Sequence, residues 1–227
     1  MKENKKTKTN ANYFTKTDNL KIAGIITLIA SGVEFLFGMS YIGYIISSVG
    51  LVAGAVLFIV GSSGRVSEAE ISEYIAKSTD GSCAIDAEEK ALKKRLRSIP
   101  QPLEASGFVF NANVMIKKTK KGSLNSSVYS KAVIYPLDTA LLIRRRTLLI
   151  ADERWEDDSL EIPYADIACL EFAEEIEDVT FGKKLFRAKK DYLVIKTKDG
   201  NLISVPAQDN VETDEFIKEI SAIIRNN

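Results

Sequence analysis

Two long apolar runs open the chain. Residues 20–38 (LKIAGIITLIASGVEFLFG) and 41–60 (YIGYIISSVGLVAGAVLFIV) each supply the about 20 mostly apolar residues that a membrane-spanning helix needs. The few residues around Met39 and Ser40 that separate them are too short for anything but a tight hairpin, so the helices are expected to be antiparallel neighbours. After the break Gly61-Ser62-Ser63-Gly64 the apolar positions take helical spacing. Ser67 with Glu70, and Asp86 with Glu89, read as capping boxes that open two short helices. Lys90, Lys93, Lys94, Arg95 and Arg97 make the second helix basic, and Pro100 and Pro102 end it.

From Gly107 the period becomes two. Phe108, Phe110, Ala112, Val114 and Ile116 alternate with polar residues and predict one half-buried strand. Residues 124–137 alternate again. Residues 140–143 and 147–151 read as two short strand runs on either side of Arg144, Arg145 and Arg146, and residues 151–159 (ADERWEDDS) as an acidic loop. Residues 192–198 and 202–205 flank Asp199-Gly200, a strong hairpin signal. Asp209 and Glu212 are expected to cap a final helix with the apolar stripe Phe216, Ile217, Ile220, Ile223 and Ile224. The expected organisation is a basic tail (1–19), a transmembrane hairpin (20–61), a helical linker (65–103) and a mostly antiparallel β domain (107–227), an α+β chain.

Charge orients the anchor. The 31 basic and 31 acidic residues cancel overall, but Lys2, Lys5, Lys6, Lys8, Lys16 and Lys21 precede the first span, Arg65 follows the second, and the tip carries no lysine or arginine. The positive-inside rule then predicts a multi-pass plasma-membrane protein with both termini cytoplasmic. A cleaved signal peptide fits poorly, because the apolar run is long and a second span follows at once. Gly24, Thr27 and Ser31 share one face of the first helix; Gly43, Ser47, Gly50 and Gly54 lie along the second. Small residues let backbones approach in lipid, so Gly24, Ser31, Gly43, Ser47, Gly50 and Gly54 are expected to pack the hairpin, with homo-oligomerisation as the alternative. Glu34, about a turn from the tip, is expected at the outer headgroup level.

The candidate chemistry is sparse. There is no histidine, which removes histidine triads, histidine general bases and most zinc or haem ligation. Cys83 and Cys169 have no metal spacing and read as reduced filler. No phosphate-binding glycine loop or nucleophile elbow appears, and the acidic runs lack the ligand spacing of a calcium loop. No catalysis, cofactor, metal or nucleic-acid partner is expected. Trp155, inside the acidic run, reads as a core residue, with a hinge plug or an exposed binding anchor as the alternative. The lysines and arginines after Lys90 suit either anionic lipid or plain solvation.

The segments LEIPYADIACLEF (160–172), DYLVIKTKDGNLISVP (191–206) and EFIKEISAII (215–224) resemble those of bacterial pleckstrin-homology-like, or GRAM-like, domains. The resemblance covers residues 107–225. It implies a seven-stranded bent sheet or partial barrel capped by one helix. Related eukaryotic domains hold inositol phosphates with basic residues of the first hairpin, which here are Lys117, Lys118, Lys120 and Lys121; Arg144, Arg145 and Arg146 make a second basic cluster, and residues 183–190 a third. The function this implies is a non-catalytic, membrane-anchored scaffold that presents the domain to anionic headgroups or a protein partner. The alternative is an accessory subunit of a membrane complex, recruited through its hairpin.

Overall fold

The computed structural model describes residues 9–16, 18–37, 40–111, 113–181 and 184–226. Lys2, Lys5, Lys6 and Lys8 of the basic tail, Gly38 and Met39 at the tip, Ala112 and Lys183 lie outside the described residues. The chain divides into two compact units, Met1–Ser67 and Glu68–Asn227.

The first unit holds α1 (Ala11–Thr15), α2 (Asn19–Phe37) and α3 (Tyr41–Ser62). At about 1.5 Å per residue, α2 and α3 are roughly 28 and 33 Å long, against about 30 Å for the hydrocarbon core of a bilayer. Both are long and apolar enough to cross a membrane. They run antiparallel. At one end Lys16 Nζ donates to the Ser63 carbonyl at 2.5 Å, and Asp18 pairs with Arg65. At the other, the Phe35 and Tyr44 rings meet edge to face at 5.5 Å. Ser40 caps α3 by accepting the Gly43 N–H at 3.0 Å. Ile26, Ile29, Leu36, Phe37, Ile42 and Val49 all point outward and exposed, the arrangement lipid favours and water penalises.

The second unit begins with α4 (Glu68–Thr79) and the single turn α5 (Lys90–Lys94). Among the described residues nine strands follow: β1 (Leu103–Phe108), β2 (Ile116–Lys118), β3 (Leu124–Ser126), β4 (Val128–Pro136), β5 (Ala140–Leu149), β6 (Arg154–Pro163), β7 (Ile167–Phe181), β8 (Lys184–Thr197) and β9 (Leu202–Pro206). The chain closes with α6 (Val211–Arg225). One sheet has the order β1-β4-β5-β6, a second β7-β8-β9, and β2 and β3 pair as a small hairpin inserted between β1 and β4; all pairings are antiparallel.

The main core fills one face of both sheets. Ile134, Leu141, Leu193, Ile195 and Val205 are all but fully buried there, and α6 closes it with Phe216 and Ile220. Each of these two α6 side chains contributes about 2–3 kcal/mol of apolar burial. A second cluster (Val133, Tyr135, Leu137, Leu142) lies on the other face of the first sheet, covered by Cys83, Ile85, Leu92 and Leu96 from the linker. A third (Phe110, Val114, Ile116, Val179, Ala188) joins the base of the β2–β3 hairpin to the far half of the β7–β8 ribbon.

Several expected elements differ. The alternation from Gly107 does not make one strand. Pairing of β1 with β4 ends at Phe108; the Asn111 side chain then accepts the Asn113 N–H at 3.3 Å and its carbonyl accepts the Val114 N–H at 3.4 Å, forming a turn. Phe110 and Val114 are apolar because they fill the third cluster, not because they lie on a sheet. The two short runs around Arg144–Arg145–Arg146 are a single strand, β5, and the acidic loop is largely strand β6, because arginines on one find carboxylates on the other. Trp155 is 52% exposed, with the Arg146 guanidinium 5.4 Å above its ring, instead of in the core. The second linker helix shrinks to one turn, although Glu89 does reach back to the Asp86 N–H at 2.8 Å. Asn210, not Asp209, caps α6, accepting the Thr213 N–H at 2.9 Å.

Candidate functional site

The β2–β3 hairpin gathers four of the expected site residues. Lys117 and Lys118 lie on β2; Lys120 and Lys121 lie in the turn. The turn is closed by Thr119 and Ser123, which share a backbone bond at 2.8 Å and a hydroxyl contact at 2.7 Å. Gly122 has φ +93, a conformation open to glycine and strained for other residues. The hairpin base is pinned: buried Ser126 donates its hydroxyl toward the carbonyls of Val109 and Val128, and Ser127 Oγ accepts the Met115 N–H at 3.0 Å. The tip is tied to the start of the unit, because the Lys120 N–H donates to the Glu68 carboxylate at 2.9 Å. Lys118, Lys120 and Lys121 are exposed, and among the described residues none of the three is ion-paired. Lys117 is half-buried.

The structure does not join Arg144, Arg145 and Arg146 to these lysines. They sit in mid-β5, with alternate side chains on opposite faces, and each is matched to a carboxylate. Arg144 pairs with Glu89 and also donates to the Ala84 carbonyl at 2.8 Å. Arg145 pairs with Asp158, its cross-strand neighbour, at 2.5 Å. Arg146 pairs with Asp157 at 2.6 Å and donates to the Ser78 carbonyl at 2.9 Å, which ties α4 to the sheet. These hydrogen bonds hold the Glu89 and Asp157 carboxyls below the usual range. In the third basic cluster Arg187 pairs with Asp178, Lys189 with Glu174 and Lys190 with Glu177.

In the first unit the small residues lie between the two helices. A Cβ on Gly24 would come within 2.5 Å of the Phe58 nitrogen and 2.9 Å of the Gly54 carbonyl; one on Gly50 would strike Ser31 Oγ. Ser31 and Ser47 are buried, whereas a Cβ on Gly43 would meet only its own cap, Ser40. Gly61, not expected from the sequence, is as tight as Gly24: its added Cβ would lie 2.5 Å from the Lys21 nitrogen. It stands outside the apolar run, where spacing alone marks a break.

A cleft of about 580 Å³ opens on the face of β7–β8–β9 opposite the one that meets α6. Tyr192, Val194 and Ser204 line one wall, Ser130, Arg145 and Thr147 the other. Burial and the nearby Glu175 push the Tyr192 hydroxyl up. Both cysteines are free thiols, and burial pushes the Cys83 thiol above its ordinary value. Among the described residues no group of three or more acids and cysteines is placed to hold a metal ion.

The chemistry available is therefore that of a surface: three exposed ammonium groups without ion pairs among the described residues on a hairpin, beside a strand whose three arginines are each matched to a carboxylate. Comparison with known proteins adds nothing to this, since no family model, curated protein or solved structure matches the chain.

Proposed function

We propose that the protein is a non-catalytic membrane-anchored binding module. On this reading α2 and α3 span the plasma membrane with both termini in the cytoplasm, and the second unit is a pleckstrin-homology-like domain whose β2–β3 hairpin meets anionic headgroups. The strand count supports the domain reading: apart from the inserted hairpin, four strands form one sheet, three form the next, and a C-terminal helix closes the core. The positive residues flanking the spans support the orientation.

One observation carries the headgroup reading. The hydrogen bond from Lys120 to Glu68 holds the exposed lysines at the first residue of the second unit. Five residues, 63–67, join Glu68 to the end of α3, a tether of about 20 Å when fully extended. On this reading the tether allows the lysines to approach a charged surface, whose field reaches about 30 Å at 0.01 M ionic strength and about 10 Å at 0.1 M. The arginines of β5 take no part in this proposal.

Vesicle flotation tests it. The second unit, residues 68–227, holds its own three apolar clusters and is the piece to use. At low salt it is expected to float with vesicles containing anionic lipid and not with neutral ones. At about 1 kcal/mol per lysine, Lys118→Glu, Lys120→Glu and Lys121→Glu together weaken partitioning by roughly a hundredfold or more. Equal flotation on both lipids, or no loss in the triple variant, refutes the reading.

A further inference from the structure

We propose that the outer edge of β6 is a docking site for a basic, extended peptide segment of a partner protein, added as one more strand. This goes beyond the headgroup reading and uses a different surface. β6 is the terminal strand of the first sheet: it pairs with β5 on one side and, among the described residues, with no strand on the other. It is ten residues long, and every second residue of such an edge turns a backbone N–H and C=O outward. Residues 154–161 are all exposed.

A groove of about 710 Å³ runs beside the second half of this edge. Its apolar part is Leu160, Ile162 and Ile203; Glu161, Asp166 and Asp199 line it against a single cation, Lys198. Leu160 shares a face with the buried Ile162, yet is 44% exposed. A strand laid along β6 would set its own alternate side chains beside Leu160 on that face and beside Trp155 on the other. Free edges with a neighbouring side-chain groove are what strand addition requires.

Charge selects the occupant. β6 carries Glu156, Asp157, Asp158 and Glu161 against Arg154. Arg145, Arg146 and Arg95 take Asp158, Asp157 and Glu161, while Glu156 has no ion pair among the described residues. A second copy is a poor partner. A two-fold pairing of β6 with itself centred on residue 156, 157 or 158 sets that carboxylate opposite its own copy; centred on 159, it sets Asp157 opposite Glu161. Like charges directly opposite destabilise a strand pair. In these central registers the edge repels its own copy, and Glu156 together with Asp166 and Asp199 of the groove suits a strand with lysine or arginine at alternate positions.

The test uses the full chain in zwitterionic detergent. The probe is a blocked nonapeptide alternating lysine and valine, with a twin N-methylated at every backbone nitrogen. The first peptide is expected to slow amide exchange within residues 154–162. The twin keeps the charge but cannot complete the ladder, and is expected to bind about tenfold weaker or less. Glu156→Lys is expected to weaken the first peptide severalfold with thermal unfolding unchanged. Equal binding of the two peptides, unchanged exchange in 154–162 at saturating peptide, or preference for a glutamate-valine peptide overturns the proposal.

Discussion

Tyr164 is where the packing of the second unit meets a titratable group, and Tyr164→Phe measures that packing. The ring is 1% exposed, and its hydroxyl donates to the Leu137 carbonyl at 3.1 Å. Arg97 Nε donates to the same carbonyl at 3.0 Å, and its guanidinium stands 5.5 Å over the ring. Removing the hydroxyl therefore leaves no carbonyl unsatisfied, so the loss at neutral pH is one net hydrogen bond, about 1 kcal/mol. Burial pushes the Tyr164 hydroxyl up to about 12 from 10.0. Between these two values the unfolded chain has released a proton that the folded state keeps. Stability therefore falls as pH rises from 10 to 12 and is untouched below 10. At pH 11 this amounts to about 1.4 kcal/mol, one full unit of differential protonation. Urea unfolding of residues 68–227, followed by circular dichroism, should show Tyr164→Phe less stable than the parent by about 1 kcal/mol at pH 8. At pH 11 the order should reverse by a few tenths of a kcal/mol, because only the parent bears the titration cost. The same gap at both pH values would refute the argument, since a solvated tyrosine produces no crossing.

Three further outcomes follow from the geometry. Gly24→Val and Gly61→Val drive a side chain into the facing backbone and should each destabilise the hairpin by about 1–3 kcal/mol in detergent melts, whereas Gly32→Ala, with nothing within 4 Å of its added Cβ, should be neutral. Asp157→Asn should cost about 0.5–1 kcal/mol at pH 7, a partly exposed pair with good geometry. Because Arg146 lowers the Asp157 carboxyl, that contribution is present above the ordinary carboxylate range and lost as pH falls below about 4, so parent and variant should converge in acid unfolding experiments. Arg146→Ala should raise the solvent accessibility of the Trp155 ring, read as stronger iodide or acrylamide quenching of the single tryptophan.

The long-period features were legible in the sequence. α2 and α3 begin and end within a residue or two of the apolar runs, because length and the absence of charge define a candidate span without any tertiary information. The α6 stripe and the Asp199-Gly200 hairpin were equally local. Gly200 has φ +89, and the turn takes its hydrogen bonds from Thr197, Asp199 and Asn201. The middle of the first sheet was not legible by hydrophobic period. Arg144, Arg145 and Arg146 break the apolar pattern of β5, and β6 has almost none. What makes them strands is pairing across the sheet, Arg145 with Asp158 and Arg146 with Asp157. The doublets Arg145-Arg146 and Asp157-Asp158, placed symmetrically about a turn, are the signal that an alternation search passes over. Trp155 was misplaced for the same reason: its partner is a charge on the neighbouring strand, not an apolar core. At the hairpin site the four lysines were visible as a cluster, but the tie from Lys120 to Glu68 joins residues 52 apart in sequence and has no local signal.

Amide hydrogen exchange of the full chain in nanodiscs tests the central claim most directly. Exchange across residues 116–126 should slow when neutral lipid is replaced by lipid with an anionic headgroup, the slowing should fade as salt rises, and the 140–149 strand, whose arginines are already paired, should not respond. Protection of residues 116–126 that is the same in neutral and anionic nanodiscs would contradict it.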